Sequence, residues 1–352
     1  MTQGLRIPFH HLPPLTLSPP SWAHPKESDL PALRELLPSF LERGVIREIF
    51  SRVPLFYSRV FIVPKKDGPL RMVIDLHRLN LLIDTPHFIM ETVFKIAQGI
   101  IERLWGVTID LKDAYFHVPM GWFFHQFLAF QVDDRVYVFQ FLPFGLSLAP
   151  WAFHRVIKPV MAQLHRDFFR IHSYLDDFLH LHPSREGLLE STDRVLAFFD
   201  SLSIQINLKK SCLVPSRKVV YLGVLLDLGN LRLRIPPLMV EKVLKVCGEI
   251  ADVDFVSRRR LESLMGLLNF VAPLVPLGRL HLLPIIVWVN RHSSVARRDL
   301  PVSLDQVFKD MLRIWQSRVF LSLPVPMSVP LPQLDLMTDA SLWGWSGVVL
   351  PH

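Results

Sequence analysis

Two aspartates, Asp176 and Asp177, stand side by side in the segment SYLDDFLHLH, between apolar residues. Asp-Asp is a poor choice for a tight hairpin turn, which normally takes Asn-Gly or Asp-Gly because two positions need a positive φ. Adjacent carboxylates also repel each other and are costly to bury unpaired. A divalent cation with oxygen ligands, in particular Mg²⁺, would compensate for the clustered charge, whereas the plain alternative is a solvated loop.

A third carboxylate, Asp110, ends the run WGVTID, where the chain turns into LKDAYF. A carboxylate at a strand end beside a two-carboxylate hairpin could form a two-metal cluster for phosphoryl transfer. Such a cluster activates an attacking hydroxyl and stabilises a leaving pyrophosphate. The alternative is that Asp110 caps the helix that follows it, and we interpret the nearby Asp113 as structural.

Several predicted strands could hold these carboxylates. The run LWGVTIDL before Asp110 has little alternation and predicts a strand buried on both faces. IHSYL and FLHLH flank the Asp-Asp pair as two short strands. Two β-rich runs in SRVFIVPKKDGPLRMVIDL surround a Lys-Lys-Asp-Gly turn and predict a hairpin, and RVYVFQFLPFGL is another β-rich run.

Helices and linkers are predicted around these strands. Apolar residues at helical spacing predict a helix in LPALRELLPSFLERGVIREI that ends near Gly44, and others from Trp151 to Leu164 and in STDRVLAFFDSL. VVYLGVLLDLGNLRLRI predicts one hairpin that turns at Leu228-Gly229-Asn230. Residues 236–298 are mostly helical, the Pro-rich linker LPVPMSVPLPQ follows, and LDLMTDASLWGWSGVVL predicts one strand.

Composition restricts the partners and the compartment. The net charge of +7 favours polyanionic partners, nucleic acid first, although a protein that is merely basic would show the same balance. The two cysteines form no disulfide framework and no zinc spacing, and the N-terminus lacks a signal-peptide pattern, so we expect an intracellular protein. Polar residues and prolines interrupt the apolar stretch from Leu264 to Val289, which favours packed helices over a membrane span.

Five segments together resemble the reverse transcriptases of retroviruses and LTR-type retrotransposons. TIDLKDAYFHVPM, LPFGLSLAPWAF, SYLDDF and YLGVLLD occur in the order and rough spacing of that family, and FIVPKKDGPLRMVIDLHRLN is similar to its fingers segment. The resemblance runs from about Leu33 to Val289, and LPFG and GLLNF are similar to retroelements of the DIRS or gypsy kind. It implies an α+β right-hand polymerase fold with fingers, a palm with an antiparallel sheet, and a helical thumb.

This resemblance also predicts how the chain is divided. Residues 1–28, rich in Pro and His, form an extended N-terminal arm, residues 29–235 the fingers and palm, and residues 236–300 the thumb. Residues 301–333 are a connection, and residues 334–352 the truncated start of an RNase H-like domain.

By the same resemblance, Asp110, Asp176 and Asp177 are the catalytic carboxylates and the ligands of two Mg²⁺ ions, with Mn²⁺ as an alternative metal. Asp110 and Asp176 are the firmer ligands, and Asp177 assists. Tyr115, five positions after Asp110, would lie under the sugar and select deoxynucleotides by a clash with a 2′-hydroxyl. A buried core tyrosine is the alternative.

Further residues are expected to bind the dNTP. Lys65, Lys66 and Arg71 could close over a triphosphate, with Arg71 and then Lys65 preferred, or could form a solvated surface run. Phe144 and Gly145 begin a turn whose small residues let the backbone approach the nucleotide and the template base. The family often has Gln where this chain has Phe144, which removes a polar contact near the sugar; a plain helix-start turn is the alternative.

Two segments match the family's contacts to product and primer. Lys209 and Lys210 lie where similar polymerases place a lysine near the leaving pyrophosphate, so either could act as general acid, or both could simply be solvated. Tyr221, Leu222 and Gly223 resemble the primer grip, for which an ordinary structural hairpin is the alternative.

The remaining assignments lie toward the C-terminus. Arg258, Arg259 and Arg260 at a predicted helix start could contact nucleic-acid phosphates without base specificity. Asp339 in MTDASLWGWSGVVL resembles the first carboxylate strand of the RNase H fold, which needs further carboxylates downstream. We therefore expect a piece of a longer polyprotein or a truncated element copy.

The predicted function is RNA-directed DNA polymerase, which adds dNTPs to a primer 3′ end on an RNA or DNA template. The alternative is a catalytically inactive nucleic-acid-binding remnant of a retroelement. A viral right-hand RNA polymerase and a membrane-associated protein are two further rivals. The predicted partners are template, primer and dNTPs, with no membrane.

Overall fold

A computed structural model describes residues 4–50, 53–64, 70–167, 169–292, 300–328, 334–341 and 344–351 of the chain. Lys65 and Lys66, expected at the nucleotide triphosphate, lie outside the described residues. The side chain of Asp339 is also outside them, although its backbone is described.

Seventeen strands and ten α-helices are described. The strands are β1 Ile46–Ile49, β2 Arg59–Pro64, β3 Leu70–Asp75, β4 Trp105–Asp110, β5 Ala129–Val132, β6 Arg135–Phe139, β7 Arg170–Tyr174, β8 Asp177–His182, β9 Cys212–Ser216, β10 Lys218–Tyr221, β11 Val224–Asp227, β12 Arg232–Arg234, β13 Phe255–Ser257, β14 Pro301–Ser303, β15 Val325–Pro326, β16 Leu334–Ser341 and β17 Gly344–Pro351. The helices are α1 Leu30–Glu42, α2 His77–Asn80, α3 Val93–Gln98, α4 Ala149–Arg166, α5 Arg185–Ser201, α6 Pro237–Ala251, α7 Arg258–Val271, α8 Gly278–His292, α9 Gln306–Leu312 and α10 Arg318–Ser322.

The chain forms two compact units that each use several segments. The first comprises Met1–Met90, Ile109–His180 and Leu189–Leu213. The second comprises Glu91–Thr108, Leu181–Leu188 and Val214–His352. The division falls within strands β4, β8 and β9.

Helix α1 follows the predicted apolar periodicity. Leu33 and Leu37, four residues apart and therefore on one face, are buried in the core of the first unit. A proline in the first turn costs no hydrogen bond, and Gly44 just past the end has a φ of +66° that glycine adopts freely. The helix therefore begins and ends where its sequence predicts.

Antiparallel pairing organises the strands of the first unit. β2 and β3 form the predicted hairpin, with Val60 opposite Ile74 and Val63 opposite Arg71. β1, β6 and β5 form a three-stranded sheet in that order. Phenylalanine rings and aliphatic side chains from these strands and from α4 fill one continuous buried cluster.

Four strands form the sheet with order β7-β8-β4-β9. β4 shows little alternation in burial, as predicted for a strand covered on both faces. Gly106 in β4 is tightly covered, because an added Cβ would lie 2.9 Å from Leu228 Cδ1 and 3.1 Å from a methyl group of Leu181. A side chain larger than hydrogen at this position would therefore require these leucine side chains to move.

Two predictions for the second unit were wrong in strand count. Residues 218–234 form three strands, β10, β11 and β12, with an additional tight turn at Leu222-Gly223. The C-terminal segment forms a hairpin of β16 and β17 rather than one strand, with Asp339 opposite Ser346. The predicted helical region contains α6, α7 and α8. Among the described residues, no helix is both long and apolar enough to cross a membrane.

Candidate active site

Backbone hydrogen bonds bring the three predicted carboxylates together within the first unit. Asp110 is the last residue of β4, Asp176 lies in the turn after β7, and Asp177 begins β8. The N–H of Leu111 donates to the carbonyl oxygen of Asp176 at 2.8 Å, so the end of β4 lies directly against the turn. The predicted meeting of two distant segments is therefore present.

The turn that carries Asp176 is strained. The positive φ falls on Leu175, at +53°, and on neither aspartate. A leucine seldom adopts this left-handed conformation, which costs roughly 1–3 kcal/mol in a folded protein. Strain of this kind concentrates at functional sites.

Burial and mutual repulsion disfavour the charged carboxylates. Partial burial, followed by the charges of Asp176 and Asp110, raises the pKa of Asp177 to about 6. Burial and the charge of Asp176 also raise the pKa of Asp110, opposed by Lys210 and by a hydrogen bond from Asn207. The three groups are thus close enough to act on one another's ionisation.

A loop from Asn207 to Ser211 fixes Asp110 from the other side, and the sequence analysis missed two of its residues. The Asn207 N–H donates to the Asp110 carbonyl at 2.8 Å, and the Asp110 N–H donates to Ser211 Oγ at 3.0 Å. Ser211 Oγ in turn donates to the Asn207 carbonyl at 2.9 Å. In the sequence, nothing except their position beside Lys209 and Lys210 indicated a role for Asn207 or Ser211.

Lys210 is the lysine of the predicted pair that faces the carboxylates. Its charge lowers the pKa of both Asp110 and Asp177, whereas Lys209 contributes to neither shift. The charge cluster therefore contains one cation and three carboxylates. The structure separates two residues that sequence reasoning left equivalent.

The carboxylates fit a hard divalent cation but do not form a complete ligand set. Their oxygens are the donors that Mg²⁺ prefers, and a bound cation would relieve the repulsion that raises the pKa of Asp177. Within the described part of the chain, no three His, Cys, Asp or Glu side chains are arranged to hold a metal ion. Mg²⁺ usually takes one or two protein carboxylates and completes its shell with water and substrate phosphates, so the arrangement suits an ion that arrives with a nucleotide.

Aromatic rings connect this carboxylate cluster to the predicted nucleotide-binding residues. The ring of Tyr115 lies 4.9 Å from that of Phe144 and 5.9 Å from that of Phe153, measured between centroids. The guanidinium of the exposed Arg71 lies 5.2 Å from the Phe144 ring centroid, a cation–π geometry. Burial and the charge of Asp176 raise the pKa of Tyr115 to about 12, so its hydroxyl stays protonated near the carboxylates.

The turn at Phe144-Gly145 lies against the β2–β3 hairpin. Gly145 has a φ of +101°, and an added Cβ would lie 2.9 Å from the carbonyl oxygen of Ile74. Only glycine fits there, which explains the predicted small residue. Asp113 pairs with Arg43 at 2.7 Å, in agreement with its structural interpretation.

The predicted primer-grip residues lie in the second unit. Leu222 and Gly223 form the two-residue turn between β10 and β11, with φ of +48° and +77°, and Tyr221 is buried. An added Cβ on Gly223 would lie 2.9 Å from the ring of Phe270 in α7. The turn is therefore packed against this helix.

The three arginines at the start of α7, also in the second unit, differ in their partners. Arg258 pairs with Glu262 at 2.9 Å, and Arg260 pairs with Glu249. Within the described residues, the exposed Arg259 has no carboxylate partner. Arg259 is therefore the arginine of the three whose guanidinium is available to another molecule.

Comparison with known proteins agrees with these motifs. Residues 63–226 match the family model "Reverse transcriptase (RNA-dependent DNA polymerase)". Protein P of duck hepatitis B virus (strain United States/DHBV-16) is 27% identical over 168 residues, 47% of this chain and 20% of that protein. The putative enzymatic polyprotein of Cassava vein mosaic virus is 26% identical over 283 residues, 78% of this chain and 41% of that protein. The chain thus spans less than half the length of these viral relatives.

Solved structures agree on the fold. The foamy viral protease-reverse transcriptase dRH in complex with double-stranded DNA has a TM-score of 0.74 at 18% identity, covering 98% of this chain and 61% of that chain. The foamy viral protease-reverse transcriptase in complex with an RNA/DNA hybrid has a TM-score of 0.68 at 18% identity, covering 88% of this chain and 40% of that chain. The predicted α+β right-hand polymerase fold is confirmed. The family match over residues 63–226 makes this part of the chain similar to reverse transcriptase domains.

Proposed function

We propose that this chain is an RNA-directed DNA polymerase that adds dNTPs to a primer 3′ end. The observation that carries the proposal is the convergence of Asp110, Asp176 and Asp177, held by main-chain hydrogen bonds beside Lys210. The domain match and the fold support the same activity.

Asp110 and Asp176 are the proposed principal ligands of two Mg²⁺ ions, with Asp177 assisting. Reverse transcriptases generally use divalent metal ions. When bound, such ions lower the pKa of the attacking 3′-hydroxyl and neutralise charge on the leaving pyrophosphate. The loop from Asn207 to Ser211 and the turn at Leu175 hold the carboxylates in position for this role.

Other side chains orient the nucleotide. Arg71, exposed at the end of the β2–β3 hairpin, binds the triphosphate, and Tyr115 excludes a 2′-hydroxyl. The ammonium of Lys210 donates a proton from Nζ to the leaving pyrophosphate as general acid. Lys209, which does not act on the carboxylates, is the weaker candidate for this proton transfer.

Primer extension tests the activity. We expect wild-type protein to extend a primer on an RNA template with Mg²⁺, and Asp110→Asn or Asp176→Asn to reduce extension by at least about 10³-fold while leaving the fold intact. The exposed Asp193, changed to asparagine, is the matched control. Template binding without extension by the wild type would instead favour the catalytically inactive remnant.

Nucleic-acid template and primer are the proposed partners, since the foamy viral protein was solved with double-stranded DNA and with an RNA/DNA hybrid. We propose that the turn at Leu222-Gly223 supports the primer and that Arg259 binds phosphate. Cations at a helix N-terminus are unfavourable beside the positive end of the helix dipole, so an anion there would stabilise α7.

We further propose an origin in an LTR-type retroelement of the DIRS or gypsy kind, with β16 and β17 as the first hairpin of an RNase H-like domain. The antiparallel pairing of these strands, with Asp339 in β16, supports this reading. The test is to extend the expressed chain past codon 352 of its gene and to measure cleavage of RNA in an RNA/DNA hybrid, with Asp339→Asn as the inactive control. Absence of cleavage by every extended protein would refute it.

An intracellular site of action is also proposed. Cys212 and Cys247 are both free thiols, and a reducing compartment keeps them so. Fluorescent tagging of the expressed protein would locate it.

A further inference from the structure

We propose that Asn80 is a positioning residue for the nucleotide-binding turn, residues 144–147. It lies at the end of α2, after the fingers hairpin, and is half-buried. The inference rests on the proposed polymerase function and gives a role to the last residue of the segment FIVPKKDGPLRMVIDLHRLN, for which the sequence predicted none.

The side-chain amide of Asn80 bridges two backbone groups of the turn. Its Nδ2 donates to the carbonyl oxygen of Gly145 at 2.9 Å. Its Oδ1 accepts from the N–H of Ser147 at 2.8 Å. One side chain thus fixes both ends of a three-residue segment whose first residue has a φ of +101°.

Asparagine is chemically well suited to this position. The site needs one donor and one acceptor at the end of a short side chain, and a carboxylate or an aliphatic group cannot supply both. A second hydrogen bond, between Thr85 Oγ1 and Ser147 Oγ at 2.9 Å, ties the same turn to the segment after α2. The turn is therefore held from one side by polar contacts rather than by apolar packing alone.

The turn so fixed carries Phe144, an aromatic residue of the proposed nucleotide site. The Phe144 ring, adjacent to Gly145, packs at a tilt of 45° against the Tyr115 ring and lies beneath the guanidinium of Arg71. A rotation of the turn would move the Phe144 ring and with it both contacts. Asn80 therefore acts on the nucleotide through Phe144 and Gly145, without contacting the reacting atoms.

Two variants separate the two hydrogen bonds. Asn80→Asp keeps an acceptor for the Ser147 N–H but cannot donate to Gly145, and Asn80→Ala removes both. Primer extension at saturating primer–template gives KM for dNTP and kcat, and hydrogen exchange reports on the amide of Ser147. Asn290→Ala and Asn290→Asp, on an exposed face of α8, are matched controls.

We expect both Asn80 variants to raise KM for dNTP by about tenfold, with primer–template affinity within about twofold of wild type. Exchange of the Ser147 amide should accelerate in Asn80→Ala and stay slow in Asn80→Asp. An unchanged KM, or unchanged Ser147 exchange in Asn80→Ala, would overturn the proposal. A wild-type chain that binds primer–template without extending it would refute the polymerase function, and the exchange comparison would still decide whether Asn80 holds the turn.

Discussion

At the scale of residues, ionisation of a buried carboxylate in the cluster costs free energy, because neighbouring carboxylates repel its charge. Asp177 is more than half buried and faces the charges of Asp176 and Asp110, with Lys210 as the opposing cation. Its pKa of about 6 lies above the ordinary aspartate value of 3.8. The folded protein therefore binds this proton more tightly than the unfolded chain does, and deprotonation weakens the fold.

This cost predicts a pH-dependent stability. As the pH rises from about 4 to about 6, ionisation of Asp177 should lower the free energy of unfolding, and above pH 6 the full cost is present. We therefore expect Asp177→Asn to raise the thermal midpoint at pH 7 without divalent cations, and to have a smaller effect at pH 4. Thermal unfolding at both pH values measures this, with Asp193→Asn as control. An equal or lower midpoint for Asp177→Asn at pH 7 would contradict the argument.

The carboxylates at the centre of the site could be predicted from the sequence, but the residues that hold them and the neighbouring turn in place could not. An Asp-Asp pair in a poor turn and a carboxylate at a strand end carry their own chemical signal. Asn207 and Asn80 act through hydrogen bonds to backbone groups far along the chain, for which no local pattern exists. Lys210 acts on the ionisation of Asp110 and Asp177 whereas Lys209 does not, a difference that depends on the tertiary structure and not on residue type.

At the scale of elements, two turns depend on glycine for their backbone conformation and their close packing. Gly145 and Gly223 both have positive φ, and an added Cβ at either would lie 2.9 Å from a neighbouring atom. The obstacle at Gly145 is a backbone oxygen, whereas at Gly223 it is the ring of Phe270. An added Cβ at Gly223 would therefore require the Phe270 side chain in α7 to move.

Gly223→Ala should destabilise the hairpin of β10 and β11. The strained backbone conformation and the close approach to Phe270 together predict a loss of about 1–3 kcal/mol in unfolding free energy. Denaturant unfolding of Gly223→Ala measures the loss, and Gly248→Ala, where an added Cβ meets no atom within 4 Å, is the control. If Gly223→Ala cost no more than its control, the packing of this turn against α7 would be unimportant.

Element types were mostly predictable, and element counts were not. Apolar periodicity placed α1 and α4, and the Asp-Asp pair located the turn between β7 and β8. The turn at Leu222-Gly223 escaped notice because leucine is an unusual residue for a positive φ. β16 and β17 lie in one apolar, β-rich run, so one strand was predicted where two antiparallel strands pair.

For the whole molecule, net charge and ion pairing decide how a polyanion could be bound. The surplus of +7 is spread over many arginines and lysines, several of which are already paired with carboxylates. Unpaired cations such as Arg259 are the ones that can displace counterions from nucleic acid. The number of basic residues in the sequence is therefore larger than the number of side chains available to contact phosphates.

Arg259→Ala should weaken primer–template binding equally for all sequences. We expect the slope of log affinity against log salt concentration to fall in magnitude by about one, because one phosphate contact is lost. Arg313→Ala is the control, since Arg313 is exposed but pairs with Asp310. Fluorescence anisotropy across a salt series measures both variants, and an unchanged slope for Arg259→Ala would exclude this contact.

The hydrogen bonds that hold the end of β4 run largely through main-chain atoms, from Leu111 to Asp176 and from Asn207 to Asp110. Replacing a carboxylate would leave these bonds untouched. A chain that lacks one of these carboxyl groups should therefore keep the same backbone framework, so that loss of activity and loss of structure are separable outcomes of mutation.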